Sequence, residues 1–519
     1  MRTTKYLSLI GTAFLALTAI SPGRVEAADL RTNINADPAM IDPITFSELI
    51  AGDILQNVYE GFVGLAPDGS TVPALALSWT PHADNLGFTF KLRPGVKFHS
   101  GRPFTANDVK YTFEELIRPG NKAGLGADYL ETVVGVAEFV AGTASEISGV
   151  KVIDDLTIDV TFTKPTVLFP IFPFQIMDSG IVAEFGPEWY LKASGGTGPF
   201  KFVEWNRGQN VRLAANADYW GGAPKIDGVN FLIVPSGDTA ISMYEANELD
   251  LVYADAASVR RILKDPQFNG QTLDSPAAQM QYLGMNANVY EPFKDIRVRQ
   301  AVCIAFDRDA MVKGLYENAA YPGLGIIPPG VAGFDPTRAP IAYDPDLAKK
   351  LLAEAGFPDG KGLPPLQISS TEPNKNDLAY FASQLNKVLG MPIEINVVER
   401  GSFIKAMNAG EVAFFPWGWS ADYRDALTFL DPMWVSSSTY NRSRWSNAEY
   451  DALVDTALQT PDITARLALY KQAEDVARAD WGPCPTTVRK QLALKKPNVE
   501  GVTLSPFRFL PFNTVTIGG

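Results

Sequence analysis

Between Asp344 and Phe415 the chain alternates helical and extended hydrophobic periods, and this order restricts the available folds more than any single residue does. Asp344 is a helix N-cap with Pro345 in the first turn; Ala348, Leu351, Leu352 and Ala355 form one apolar stripe, and Gly356 ends the helix. An extended run at Leu366 to Ser369 follows, then a helix from about Asn376 to Leu389 and a strand at Ile393 to Val398. A helix near Ser402 to Asn408 then leads into an apolar strand at Val412 to Phe415. Strand, helix, strand in succession calls for a right-handed crossover and parallel strands, so the class is α/β. In such open sheets ligands settle outside the carboxyl ends of the strands. The residues expected to leave the last strand there are Pro416-Trp417-Gly418-Trp419-Ser420-Ala421-Asp422-Tyr423. This stretch reads either as a core tryptophan pair beside a solvated acid, or as an aromatic wall with Asp422 placed to receive a cation.

The first half has a different texture. Phe88, Phe90 and Leu92 alternate with Thr89, Lys91 and Arg93, and Pro94-Gly95 then turns the chain towards Val96 and Phe98, which predicts a hairpin with one buried face. Thr105 with Asp108 predicts a capping box, and Val109, Phe113, Leu116 and Ile117 share one face of the helix behind it, which should pack on that hairpin. Leu156, Ile158, Val160 and Phe162 alternate with threonines and Asp159, a further half-buried strand that stops before Pro165.

Residues 1 to 27 have the layout of a secretory leader: Arg2 and Lys5, an apolar run from Tyr6 to Ile20, a break at Ser21-Pro22-Gly23, and the small residues Val25 and Ala27 before a cut. Cleavage after Ala27 is expected, and because Ala28 rather than a cysteine follows, no lipid anchor is expected. Losing Arg2, Lys5, Arg24 and Glu26 leaves 42 basic and 57 acidic residues, a net charge of −15. Nucleic acid is a poor partner for such a surface. The length of the remaining chain calls for two or three lobes. Cys303 lies in a helical pattern that suits a small buried hydrophobe, and a bond to Cys484 is left open as the minority expectation. His82 and His99 have no metal-ligand spacing and are expected to be ordinary surface residues. No cofactor or metal is called for. A secreted hydrolase would need a Gly-x-Ser-x-Gly elbow, a zinc motif or a triad histidine, and the chain has no such set.

Several motifs occur in order along the chain. They are Tyr59-Glu60-Gly61-Phe62, then Pro73-Ala74-Leu75-Ala76 with Trp79; Phe88-Thr89-Phe90 with Leu92-Arg93-Pro94-Gly95-Val96-Lys97-Phe98-His99 and Asp108-Val109; Thr197-Gly198-Pro199-Phe200; Tyr219-Trp220; and Arg299-Gln300-Ala301 with Phe306-Asp307-Arg308. Taken together this series resembles the extracellular solute-binding proteins of bacterial ABC importers, family 5, the dipeptide- and oligopeptide-binding type.

The resemblance implies a periplasmic binding protein type II-like fold: two main lobes joined by a hinge, plus an additional domain (cluster C architecture). Lobe I would take residues 28–72, 197–287 and 488–519, lobe II 73–196, and lobe III 288–487. It implies a soluble periplasmic receptor and not an enzyme, expected to be monomeric, that captures peptides or related amine-bearing solutes and hands them to an inner-membrane ABC permease. Asp422 matches the position that takes a peptide's ammonium, with Trp417, Trp419 and Tyr423 lining side-chain pockets. Where many members continue Asp-Tyr-Pro-Asp-Pro, this chain has Asp422-Tyr423-Arg424-Asp425-Ala426, so Arg424 is expected beside Asp422, competing for it. The same scaffold could instead hold an opine, an oligosaccharide, glutathione or a metal chelate.

Overall fold

The alternation after Asp344 builds one of three main sheets in the computed structural model, which describes residues 28–46, 48–67, 69–121 and 125–518. The leader and its expected cleavage site after Ala27 lie outside the described residues. Leu366–Ser370 runs parallel to Ile393–Val397 across the helix Lys375–Leu389, as a right-handed crossover requires. Phe414–Ser420 lies on the other side of Leu366–Ser370, and Gln279–Met285 and Cys484–Pro485 complete a five-stranded sheet. Phe414 and Phe415 are consecutive, so they point to opposite faces. Phe414 enters a core with Phe293, Phe381 and Leu385, whereas Phe415 enters one with Phe429, Trp434 and Tyr470.

An eight-stranded sheet is assembled from distant stretches, in the order Thr272–Pro276, Thr487–Lys495, Leu251–Tyr253, Asp29–Ile34, Gly228–Ile233, Asn210–Ala215 and Phe200–Asn206, with Ala320–Pro322 paired to Thr487–Lys495. The chain therefore passes to the five-stranded sheet between Pro276 and Gln279, ahead of residue 287, and returns between Pro485 and Thr487. A third sheet orders Ala76–Pro81, Gly87–Leu92, Thr157–Thr161 and Val150–Asp154, all antiparallel. The helix Ala106–Leu116 begins with the expected capping box, in which the Thr105 backbone N–H donates to the Asp108 carboxylate at 2.9 Å. Its Val109 and Phe113 are fully buried.

Three local expectations are corrected. Phe88, Phe90 and Leu92 do form a buried face, but their strand pairs with Ala76–Pro81 and Thr157–Thr161 and not with a return through Pro94-Gly95. Beyond that turn the chain makes a separate small loop, closed by Phe104 N–H donating to the Val96 carbonyl at 3.0 Å, because Val96, Phe98 and Phe104 all have to reach the same core. The histidines are structural rather than free at the surface. His99 Nδ1 lies 2.7 Å from Ser194 Oγ and its Nε2 2.9 Å from the Gly198 carbonyl, burial pulls its pKa down to about 4, and His82 Nε2 lies 2.8 Å from the Asp159 carboxylate. The third correction concerns Cys303 and Cys484, which form a disulfide across 181 positions, with Cα atoms 5.8 Å apart. Sequence spacing cannot report that distance; the helix Ile296–Ile304 and the strand Cys484–Pro485 meet only because both pack on Gln279–Met285 and its core.

Both sulfurs are fully buried, and the bond closes a very long loop. Reduction, or the double change C303A/C484A, is expected to lower stability by about 2–4 kcal/mol, because the cross-link restricts the unfolded chain. Calorimetric melting with and without reductant checks this. An unchanged Tm would show that the bond contributes nothing.

Candidate functional site

The strand that precedes Asp422 is longer than its apolar core suggests. It starts at Phe414 and runs through Ser420, because every residue pairs antiparallel with Gln279–Met285, from Met285 opposite Phe414 to Gln279 opposite Ser420. Its parallel neighbour pairs with it only at Phe414, so Pro416 lies where one edge is open and its missing N–H is tolerated. Trp417 and Trp419 are therefore strand residues, on the same face as Phe415, and only Ala421 onwards leaves the carboxyl end.

The loop that follows is fastened from below. Asp425 is 1% exposed; its carboxylate accepts from the Leu427 N–H at 2.9 Å and the Tyr470 hydroxyl at 2.6 Å, with the Arg466 guanidinium at 3.6 Å. Asp422 is folded against the first turn of Leu427–Trp434: its N–H donates to Thr428 Oγ1 at 3.1 Å, and Thr428 Oγ1 lies 3.4 Å from its carboxylate. The residue remains open to solvent on one side, yet burial of its carboxyl against the loop raises its pKa above the usual carboxylate range, with the Thr428 contact working the other way.

Asp422 opens onto a cavity of about 220 Å³. Its walls come from every part of the fold: Asp53 and Arg508 beside the eight-stranded sheet, Tyr129 and Gln175 from the stretch around the antiparallel sheet, and Asp422 with Arg424 from the loop. Asp53 and Arg508 form an ion pair at 2.6 Å, and burial still pushes the Asp53 carboxyl up to about 6. A larger cavity of about 550 Å³ adjoins it, and Gln56, Pro173, Phe174, Gln175 and Arg424 line both.

Of the five residues singled out from the sequence, Asp422 and Arg424 line these cavities, whereas Trp417, Trp419 and Tyr423 are absent from their walls. Trp417 packs on Phe403 with ring centroids 5.9 Å apart, under the Arg442 guanidinium at 4.7 Å. Trp419 packs edge-on to Tyr440 at 5.5 Å, and Tyr423 edge-on to Phe172 at 6.0 Å. All three are half-buried and pack against the core between the sheet and its covering helices. The competition expected between Arg424 and Asp422 is also absent: no hydrogen bond or ion pair joins them among the described residues.

What residue-by-residue reading missed is Glu60, which lines the larger cavity. Its carboxylate accepts from Thr197 Oγ1 at 2.8 Å, the Tyr219 hydroxyl at 2.9 Å and Trp220 Nε1 at 2.8 Å. Arg93 stacks on the Trp220 ring at 4.1 Å and donates to the Ala74 carbonyl at 2.8 Å. Five of the ordered motifs thus converge on one wall. The glycines among them permit the approach: a Cβ on Gly196 would lie 1.8 Å from the Val58 carbonyl oxygen, and one on Gly198 2.7 Å from that of Asn57. The signal was present in the motif series, but nothing in it said that the motifs touch.

Changing Glu60 to Leu strips three donors of their acceptor and is expected to cost about 2–5 kcal/mol. Glu60→Gln keeps an acceptor oxygen, and the Tyr219 hydroxyl can rotate to accept from the new amide, so the expected loss is within about 1 kcal/mol. Urea unfolding of both variants checks the pair; equal losses would mean that the site responds to shape and not to hydrogen bonding.

Comparison with known proteins agrees with this architecture. The profile described as bacterial extracellular solute-binding proteins, family 5 Middle, matches residues 70–441. Di/tripeptide-binding protein 2 of Pseudomonas aeruginosa (strain UCBPP-PA14) is 28% identical over 539 residues, covering 98% of this chain and 98% of the relative. Heme-binding protein A of Haemophilus influenzae (strain ATCC 51907 / DSM 11121 / KW20 / Rd) is 30% identical over 490 residues, covering 89% and 87%. Among solved structures, the periplasmic murein tripeptide binding protein MppA in its unliganded open form superposes with a TM-score of 0.86 at 26% identity, covering 95% of this chain and 98% of that one. The α/β architecture is the type II-like one of periplasmic binding proteins, with two main lobes and an additional domain, and the chain belongs to the bacterial extracellular solute-binding proteins, family 5.

Proposed function

We propose that this protein captures peptides or related amine-bearing solutes between its lobes, with the Asp422 carboxylate receiving the ammonium, and delivers them to an ABC importer of the inner membrane. The observation that carries this reading is the cavity below Asp422, walled by segments from all three sheets' surroundings, so that a bound solute touches every moving part at once. The di/tripeptide-binding and murein tripeptide-binding proteins it resembles support a peptide cargo. Residues 28–72, 197–287 and 488–519 would act as lobe I, 73–196 as lobe II and 288–487 as lobe III, the hinge lying where the chain passes between the two larger sheets. Export with cleavage after Ala27 would release a monomer into the periplasm; among the described residues no helix is long and apolar enough to cross a membrane. Likeness to an unliganded open form supports an open, ligand-accepting state. Closure would then exclude water and strengthen the charged hydrogen bond at Asp422.

Isothermal titration with tri-alanine tests this. Asp422→Asn keeps the shape and removes the charge, and is expected to weaken binding by about 2–4 kcal/mol without lowering Tm. Unchanged affinity would remove Asp422 from the site. Ionised Asp422 is the binding form, so affinity is present above its pKa and is lost as pH falls through it. Because that pKa is raised, the loss begins at higher pH than for an ordinary carboxylate.

A further inference from the structure

The antiparallel sheet and the eight-stranded sheet share one core, which holds Phe88 and Phe90 together with Leu30 and Phe231, whereas the five-stranded sheet has cores of its own. The chain thus forms two bodies, linked where it passes between Pro276 and Gln279 and between Pro485 and Thr487. Crossings of this kind act as hinges and leave rotation free. The stretch Pro165-Thr166-Val167-Leu168-Phe169-Pro170-Ile171-Phe172-Pro173, which follows the strand Thr157–Thr161, breaks this division. Phe169 is fully buried in the shared core of the first body, but its neighbours Val167 and Leu168, 6% and 5% exposed, are buried in the core of the second body that holds Phe429, Trp434 and Tyr470. Ile171 and Phe172 pack against both cores. Pro165, Pro170 and Pro173 each fix φ, and a single 3-10 turn, Phe169–Ile171, holds the bend, so the stretch is a stiff knob and not a slack loop. The contact continues beside the knob. Tyr129 stacks on Phe172 with ring centroids 4.5 Å apart, and Phe172 meets Tyr423 edge-on at 6.0 Å. The Tyr129 hydroxyl donates to the Asp422 carbonyl at 3.4 Å, and Asn85 Nδ2 donates to the Gln459 carbonyl at 3.4 Å.

We propose that the 167–172 knob, with Tyr129, is a brace between the two bodies that works without a ligand: it holds the empty cleft at one set opening, so that the cavities beside Asp422 stand ready-formed. The inference goes beyond solute capture, because it concerns the empty protein. Val167 and Leu168 would stand in water if the bodies parted, so separation exposes apolar surface and is opposed. Chain crossings alone would let the two bodies swing, and a packed contact apart from those crossings takes that freedom away. A cleft held in this way also spares the solute the entropy of ordering two bodies, which a freely swinging pair would charge against affinity. Apolar packing suits the role because it is non-directional: the knob can slide a little on its core as the cleft narrows, where an ion-pair network would have to break.

The test measures the angle between the bodies in the ligand-free, full-length protein. Nitroxide labels are placed at Lys151→Cys on the antiparallel sheet and Lys349→Cys on the helix Pro345–Glu354, both exposed positions, while the native cysteines are bonded to each other and buried. Double electron–electron resonance then gives the distribution of distances between the labels. The otherwise unchanged protein is expected to show one narrow distribution. V167A/L168A, and separately F172A, should shift it to longer distances and broaden it, with near-UV circular dichroism showing that both bodies stay folded. L168M keeps the side-chain volume and should retain the narrow distribution. Should F172A fail to fold, because Phe172 also packs on the shared core, V167A/L168A decides the matter, since those two side chains are buried in the second body's core alone. A V167A/L168A distribution that coincides with that of the unchanged protein overturns the brace, and so does an unchanged protein whose distribution is already as broad as the variant's. No ligand enters the measurement, so its outcome is separate from whether Asp422 receives an ammonium.

Discussion

The hydrogen bond from Thr197 to the Glu60 carboxylate closes the first long detour of the chain. After Ala74 the backbone leaves to build the antiparallel sheet and its helices, and it returns at Gly196-Thr197-Gly198 before entering the eight-stranded sheet. Glu60 joins the departing segment to the returning one, and Tyr219, Trp220 and Arg93 seal the joint. The carboxyl is held above its usual range by burial, opposed by these donors and by Arg93. A buried carboxylate is tolerated here because its acceptor sites are filled, and the filling depends on glycine at positions where no Cβ fits. The wall of the larger cavity is the outer surface of this joint.

On the opposite side, the cavity depends on register. Pairing with Gln279–Met285 keeps Phe414–Ser420 extended for two residues beyond Gly418 and so sets how far Asp422 and Arg424 project. Asp425, Tyr470 and Arg466 then fix the loop from inside the helical layer. The result is a division of labour along one short segment: the tryptophans pack half-buried against the core, Asp425 anchors the loop, and Asp422 and Arg424 line the cavities. The same accounting separates Arg308, which donates to carbonyls next to the disulfide, from Arg424, whose guanidinium has no hydrogen bond or ion pair among the described residues.

Much of the fold was legible from the chain. The helix caps at Asp344 and Thr105, the apolar stripes behind them and the parallel crossover were local, and each was readable because periodicity and capping act over a few residues. The hairpin through Pro94-Gly95 was misread because a buried alternating strand does not say which neighbour it pairs with. The aromatic segment was misplaced because strand length was judged from apolar character, whereas the partner strand lies more than a hundred residues earlier. The disulfide and the histidine contacts failed to show for the same reason: both are set by distances between segments.

By itself the sequence determined the α/β class, the ordered motifs and the carboxylate at Asp422, since hydrophobic period, turn chemistry and residue identity are properties of short stretches. Only the tertiary structure decided that Trp417, Trp419 and Tyr423 pack half-buried against the core, that Glu60 gathers five motifs, and that Arg424 lines two adjoining cavities. Those are facts about which groups meet, and a group's partners are chosen by packing across the whole chain.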